Sequence, residues 1–475
     1  MAMTTLRAFL RNGTCALAGA AAWPRHACAA ASDDLPAYWR EYLPGVAAKI
    51  NARKAASSDA FFFLTDLHLH ANRLWSGRIL ADLIARTGCR NVYSGGDLPV
   101  AYGDKSSSST SLDGAIEKYF SSVVEPVVSA RGRLYAAKGN HDFTVKAVNG
   151  TTVYGTGVSH TYSAAFARDL VVACNPRPFA VTNPLDPLAC YFYRDAPHAR
   201  IRYIVIDTSD SAQDESTQAW GVGYCMHQHQ IDWLAREALG TVPPGWGVVV
   251  IGHIPLAPVV GTEHAVPRYN LSLFREILEA YQHRRRITPF TETHDFTHAQ
   301  GRILLCLSGH WHADRFTCHN GLLHVTQASD AAYSADFRNG SPFCGPGLAR
   351  TAGTVDEQCI DCWQPDLATG LVHATRIGAG GQDRVFHSVP AEVPSGGTAS
   401  FVATHLKGPL TWVCYDGDRA LLDENATTPE AYLRLSHDHL VSVADGVLTA
   451  GTPGYGVVVA LDAAFNKEVF CVRVV

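Results

Sequence analysis

Five short clusters along the chain hold the side chains that could do chemistry. They are Asp66-Leu67-His68, Gly95-Gly96-Asp97, Gly139-Asn140-His141-Asp142, Gly252-His253 and Gly309-His310-Trp311-His312. Asp66, His68, Asp97, Asn140, His253, His310 and His312 make a set of oxygen and imidazole donors. Such a set suits divalent Mn, Fe or Zn rather than metals that prefer thiolate. A carboxylate has two oxygens and can bridge two ions. Asp97 is the natural bridge, because Gly95 and Gly96 let the backbone approach closely. Two ions about 3.5–4 Å apart can hold a phosphoryl oxygen, produce hydroxide near neutral pH and stabilise an in-line transition state. His141, beside Asn140 but distinct from it, is free to act on the leaving group or the phosphoryl oxygens, with Asp142 to orient its ring.

Each cluster follows an apolar run, at 61–65, 90–94, 133–137, 248–251 and 302–307. Between them, residues 78–87, 112–128 and 230–239 carry apolar side chains at three- and four-residue spacing, which predicts helices packed by one face. Buried strands alternating with helices describe an α/β sheet. In such sheets the ligand site forms in the loops at the carboxyl ends of the strands. All five clusters fall on that edge.

Bulk properties narrow the field. A chain of 475 residues suggests more than one unit, and 47% hydrophobic against 17% charged residues is ample for a core. Lys and Arg total 39 against 44 Asp and Glu, so no general electrostatic reason exists to expect nucleic acid or an anionic membrane as partner. The basic run 283–286 follows a helix-like stretch, 271–282, where cations favour the C-terminal dipole. Thirteen cysteines spread over the whole chain do not imply a complete disulfide framework. Cys359 and Cys362 have zinc-like spacing without a second pair and read as strand packing. No stretch after the N-terminal segment is apolar for the ~20 residues that a membrane-spanning helix needs. At the N-terminus, Arg7 and Arg11, an apolar run at 15–23 and Ala27-Cys28-Ala29 outline a secretory signal. Pro24-Arg25-His26 interrupts it, so export and retention both stay open.

The ordered set D-x-H, G-D, G-N-H-D, G-H and G-H-x-H resembles the calcineurin-like metallophosphoesterase superfamily over residues 55–390. The resemblance implies a two-sheet βαβα sandwich. It also implies two metal ions, with Asp66, His68 and His312 on the first, Asn140, His253 and His310 on the second, and Asp97 bridging. Residues 203–208 and 230–234, and 376–381 with Asp383-Arg384, are similar to a bacterial branch of that superfamily. Purple acid phosphatases are a poorer match. They carry a Tyr three residues after the bridging Asp, where this chain has Val100, and Gly where it has His68.

From residue 391 the metal-capable clusters stop and short alternating runs take over, at 398–402, 410–414, 440–443, 455–460 and 469–474. Turn signals at 394–397 and 445–446 separate them, which predicts a small C-terminal all-β sandwich. Residues 443–450 resemble group 2 bacterial immunoglobulin-like domains. That resemblance implies an accessory module with a cell-surface ligand, and favours a secreted or envelope location over a cytoplasmic one.

The expected organisation is an N-terminal segment, 1–35, a catalytic domain, 36–390, and an immunoglobulin-like domain, 391–475. Residues 143–199, rich in Gly, Thr, Asn and Pro, are expected to be an insertion forming part of the substrate wall. The expected function is hydrolysis of a phosphate monoester or diester. The alternatives are a nuclease on the same scaffold, against which the acidic balance weighs, and an envelope binding protein with a relic metal site, against which the full ligand set weighs. His70 reads as an ordinary polar contact, and His227 and His229 as solvated. His294-Asp-Phe-Thr-His298 lacks the Glu of an H-E-x-x-H motif and reads as a surface loop near the site.

Overall fold

In the apolar run that precedes Asp66, neighbouring side chains enter different cores. Phe61 and Phe63 face one way, Phe62 and Leu64 the other, as the two-residue period of a strand requires. The computed structural model describes residues 34–67, 75–98, 119–139, 142, 145–148, 151–154, 181–185, 189–208, 228–257, 271–330, 350–417 and 438–475.

Two large sheets organise the chain. The first has the order β19 (Thr411–Asp416), β22 (Gly454–Leu461), β23 (Lys467–Val474), β17 (Arg384–Val393), β16 (Leu371–Gly378), β15 (Cys359–Asp366), β1 (Phe61–Leu64), β2 (Asn91–Ser94), β3 (Arg133–Ala136). The second has the order β13 (Arg315–His319), β14 (Leu322–Thr326), β12 (Arg302–Ser308), β9 (Gly247–Ile251), β8 (Ile201–Val205), β7 (Phe192–Ala196), β6 (Val181–Thr182). Within them β1, β2 and β3 run parallel, as do β8, β9, β12 and β14. Small sheets are formed by β4 (Val145–Val148) with β5 (Thr151–Tyr154), and by β10 (Arg286–Ile287) with β11 (His294–Asp295). A three-stranded sheet joins β18 (Thr398–Ser400), β21 (Val447–Ala450) and β20 (Leu440–Ala444).

The two large sheets pack face to face. Phe61, Phe63, Tyr93 and Tyr135 from the first meet Tyr203, Val249, Ile251 and Leu305 from the second in one buried core. Helices cover the outer faces. On the first sheet, α1 (Ala37–Ala52), α2 (Ser76–Thr87) and α3 (Glu125–Ser129) bury Trp39, Leu43, Leu80, Leu83 and Val127 against Phe62, Val92 and Leu134. On the second, α4 (Gln228–Trp233), its π-helical continuation Leu234–Leu239 and α5 (Leu271–Gln282) bury Trp233, Leu234, Phe274 and Ile277 against Ile204, Val248 and Val250. Both faces of the parallel strands are therefore covered, which explains their unbroken apolar runs. No helix among the described residues is long and apolar enough to cross a membrane.

Two parts of the expected organisation differ in the structure. The boundary at 390/391 falls inside β17, and the tail strands β23, β22 and β19 continue the first large sheet from β17. Their alternate residues divide between two cores. Val457, Val459, Val469, Cys471 and Tyr415 enter the core between the large sheets, while Val458, Phe470, Val472 and Cys414 pack with Leu440 and Leu448 of the three-stranded sheet. The tail thus shares a sheet with the rest of the chain, and residues of the three-stranded sheet pack against its outer face. Of the segment expected as an insertion, β6 and β7 belong to the second large sheet, so its final part is core. Tyr191 is fully buried there. Cys359 and Cys362 are buried in β15, and none of the described cysteines forms a disulfide.

Candidate metal centre

The strands that end in the five clusters come from both sheets, and their carboxyl ends converge. The Asp66 amide donates to Gly96 O at 3.0 Å, joining the turns after β1 and β2. The Gly309 amide donates to His253 O at 3.0 Å, joining those after β9 and β12. Two bonds then cross between the sheets. His253 Nδ1 donates to Gly95 O at 2.7 Å, and the His310 amide donates to Asp66 Oδ2 at 2.9 Å.

The result is two groups of ligand atoms with one residue in common. Asp97, His253 and His310 offer atoms within 4.8 Å of one another, and so do Asp66, Asp97 and His312. Asp66, Asp97 and His253 are almost wholly buried, and His312 nearly so. His253 Nε2 lies 3.2 Å from Asp97 Oδ2 and 3.3 Å from His310 Nδ1, while His312 Nε2 lies 3.2 Å from Asp66 Oδ1. His68, Asn140 and His141 lie outside the described residues.

Local backbone geometry carries the cost of this convergence. Asp66, Asp97, His310 and His312 all have positive φ, at 54°, 55°, 75° and 59°. Non-glycine residues rarely adopt that region, and such strain persists where the surroundings over-determine it, commonly at functional sites. Gly96 sits at φ 96°, where a Cβ would lie 2.8 Å from His253 Nδ1. A Cβ at Gly139 would collide with the Asp97 carboxylate and amide. These two glycines let the turns after β2 and β3 approach the ligand groups.

Around the ligands, a second set of groups fixes their orientation. Thr65 Oγ1 donates to Asp66 Oδ2 at 2.7 Å, which together with the His310 amide turns Oδ1 toward His312. With its Nδ1 proton given to Gly95 O, His253 presents Nε2 to the site, the usual tautomer control of a metal-binding imidazole. Asp142 is fully buried, and its two oxygens accept from the amides of Asp97 (3.1 Å), Leu98 (2.7 Å) and Gly139 (2.7 Å). Asp142 therefore staples the turn after β2 to the turn after β3. The expectation that it orients a ring rested on its neighbour His141, whereas its described bonds all go to backbone. Lys138, next to Gly139, forms a buried 2.6 Å ion pair with Asp207 after β8.

Electrostatics fit a cation. Burial works against charging His253, but the facing Asp97 carboxylate outweighs it and holds the imidazole up at about 9. Burial, reinforced by the Asp97 charge, raises Asp142 to about 7, against the amides of Gly139 and Leu98 that favour its carboxylate. The donor set is oxygen and nitrogen, the carboxylates are buried, and the site draws positive charge. Those properties fit divalent metal ions.

Thr65, Lys138 and Asp207 stand beside or within segments that the sequence singles out, but none holds a ligand position there, and only the fold brings them to their partners. Asp314 escaped the sequence reading, although it lies two residues after His312. It receives Arg376 Nη2 at 2.8 Å and Arg384 Nη1 at 3.2 Å, and these arginines also bind buried Asp361. Flanking arginines hold Asp314 well below the usual carboxylate range despite its burial.

No family model matches the chain, and no curated protein does. Among solved structures it is similar to PhoD, with a TM-score of 0.42 and 13% identity over 67% of this chain and 65% of that one. It is also similar to GAP50, the anchor in the inner membrane complex of Plasmodium, with a TM-score of 0.32 and 11% identity over 68% of this chain and 84% of that one. A conserved uncharacterized protein of Streptococcus pneumoniae, a predicted phosphoesterase, gives a TM-score of 0.21 and 10% identity over 68% of this chain and 90% of that one. Likeness at this level carries nothing about chemistry, which rests on the residues above.

Proposed function

We propose that the chain is a metal-dependent phosphoesterase that cleaves a phosphate monoester or diester at a two-ion centre of Mn, Fe or Zn. The observation that carries this is Asp97, one buried carboxylate common to two ligand groups. A carboxylate so placed can bridge two ions about 3.5–4 Å apart, the spacing of two-metal phosphoesterase chemistry, which supports a paired site. When bound, the ions would polarise the phosphoryl group and offset the charge that builds during in-line displacement.

The chain's own residues supply the rest. Asp66 and His312 would hold one ion, His253 and His310 the other, and Asp97 both. His68 and Asn140 complete the two sets by the resemblance of their motifs. Asp142 and Thr65 keep the ligand loops in register, so little reorganisation is needed when substrate arrives. His141 is assigned the proton for the leaving group, by its place beside Asn140.

The test is hydrolysis of p-nitrophenyl phosphate and bis-p-nitrophenyl phosphate by protein stripped of metal and reloaded with Mn, Zn or Fe. Turnover should return with metal. Asp97→Ala should lose both turnover and bound ions, because one change disturbs two ligand groups. Metal-loaded protein that cleaves neither ester, or an Asp97→Ala variant with full activity, would overturn the proposal.

A further inference from the structure

Away from this centre, Asp232, Glu292 and His294 form a further ligand group among the described residues, with one atom from each within 4.8 Å of the others. Asp232 lies on α4, and His294 opens β11. Glu292 precedes His294 by two residues, in the loop that leads into β11. The β10–β11 hairpin thereby turns a carboxylate and an imidazole toward a helix that presents a second carboxylate.

His294 is only 6% exposed, and its Nε2 is buried with no hydrogen-bond partner. Asp232 Oδ1 stands 3.7 Å away, beyond hydrogen-bonding range. A buried ring nitrogen facing two carboxylates without a bond is costly unless something sits between them. Gln228 Nε2 donates to Asp232 Oδ1 at 2.8 Å and fixes that carboxylate from behind. Glu292 pairs with Arg236, and with both side chains about half exposed that pair is weak enough to be displaced.

We propose that Asp232, Glu292 and His294 bind a single divalent cation of the zinc class, with water completing its coordination. A tetrahedral zinc with bonds of about 2.0–2.2 Å places its donor atoms about 3.3–3.6 Å apart. The gap of 3.7 Å between His294 and Asp232 is already close to that, and the half-exposed Glu292 has room to close the rest. The ion clips the β10–β11 hairpin to α4. That helix is tied inward, because Gln230 exchanges two 2.9 Å bonds with the Asp207 backbone and Asp207 pairs with Lys138 beside Gly139. The clip is structural, and it stands independently of the phosphoesterase proposal.

The experiment titrates metal-stripped full-length protein, Glu292→Gln and His294→Ala with zinc, then measures retained zinc per chain and the zinc-dependent melting shift. Each variant should retain one equivalent less than wild type and gain less in melting temperature. Asp97→Ala should keep the zinc that Glu292→Gln loses, which separates this site from the candidate centre. Glu292→Gln alters a half-exposed side chain and folds even where His294→Ala does not. If Glu292→Gln holds as much zinc as wild type with the same melting shift, the proposal is overturned.

Discussion

A chain ending at Val393 would lose β18 to β23, and with them the neighbour of β17 and the cover of β13. The tail places Val413, Tyr415, Val457, Val459, Leu461, Val469 and Cys471 in the core between the large sheets. It is pinned there by Tyr415 Oη donating to Phe316 O at 2.7 Å and Thr317 Oγ1 donating to Gly417 O at 2.9 Å. Phe316 and Phe386, now 5% and 0% exposed, would face water. Fully burying such a side chain is worth about 1.5–3 kcal/mol, so these two alone cost about 3–6 kcal/mol. Lost strand pairing along β17 adds to that. A whole domain has only about 5–15 kcal/mol of net stability. The truncated protein should therefore aggregate, or melt on the order of 10 °C lower, with esterase activity lost in parallel. Thermal melting by circular dichroism and p-nitrophenyl phosphate turnover, run on both lengths, would decide it. A soluble 1–393 protein with unchanged melting temperature and turnover would refute the reasoning and restore the tail as an independent accessory module.

Two further changes probe buried carboxylates. Asp142→Asn sets an amide NH2 against backbone N–H donors and should destabilise the protein by about 1–3 kcal/mol. It should also weaken metal binding about 10–100-fold, as loss of an orienting partner does; unchanged melting and metal titration would remove its stapling role. Asp330 is fully buried beneath β1, bonded to the Cys359 amide at 3.1 Å, and burial raises its pKa to about 6. Because the folded value is raised, its stabilising contribution is present below about pH 4 and lost as pH rises through about 6. Asp330→Asn should then stabilise metal-stripped protein more at pH 8 than at pH 4.5, by up to about 2 kcal/mol. Equal gains at both pH values in urea denaturation would contradict this.

Local sequence carried much of the fold and most of the candidate ligand set. Apolar runs ending in polar clusters are written in consecutive residues, so β1, β2, β3, β9 and β12 could be placed almost to the residue. Helix α5 was legible as Leu271–Gln282 for the same reason, its period being local. The five clusters could be gathered on one edge because parallel strands present their carboxyl ends together.

What the sequence could not supply was everything decided by distant partners. Strands with alternate apolar faces, such as β22 and β23, fit equally a separate sandwich or a continued sheet. Only the pairing of β17 with β23, and the burial of Val457 and Val459 opposite Phe316, chose the latter. Asp142 sits beside His141 in sequence but spends its oxygens on amides some 45 residues earlier as well as on Gly139. Asp232, Glu292 and His294 carry no shared motif, since a helix and a hairpin bring them together. Periodicity and residue chemistry are properties of a short segment and can be read from it. Strand order, shared cores and convergent side chains are set by which buried surfaces meet, and that is a property of the whole folded chain.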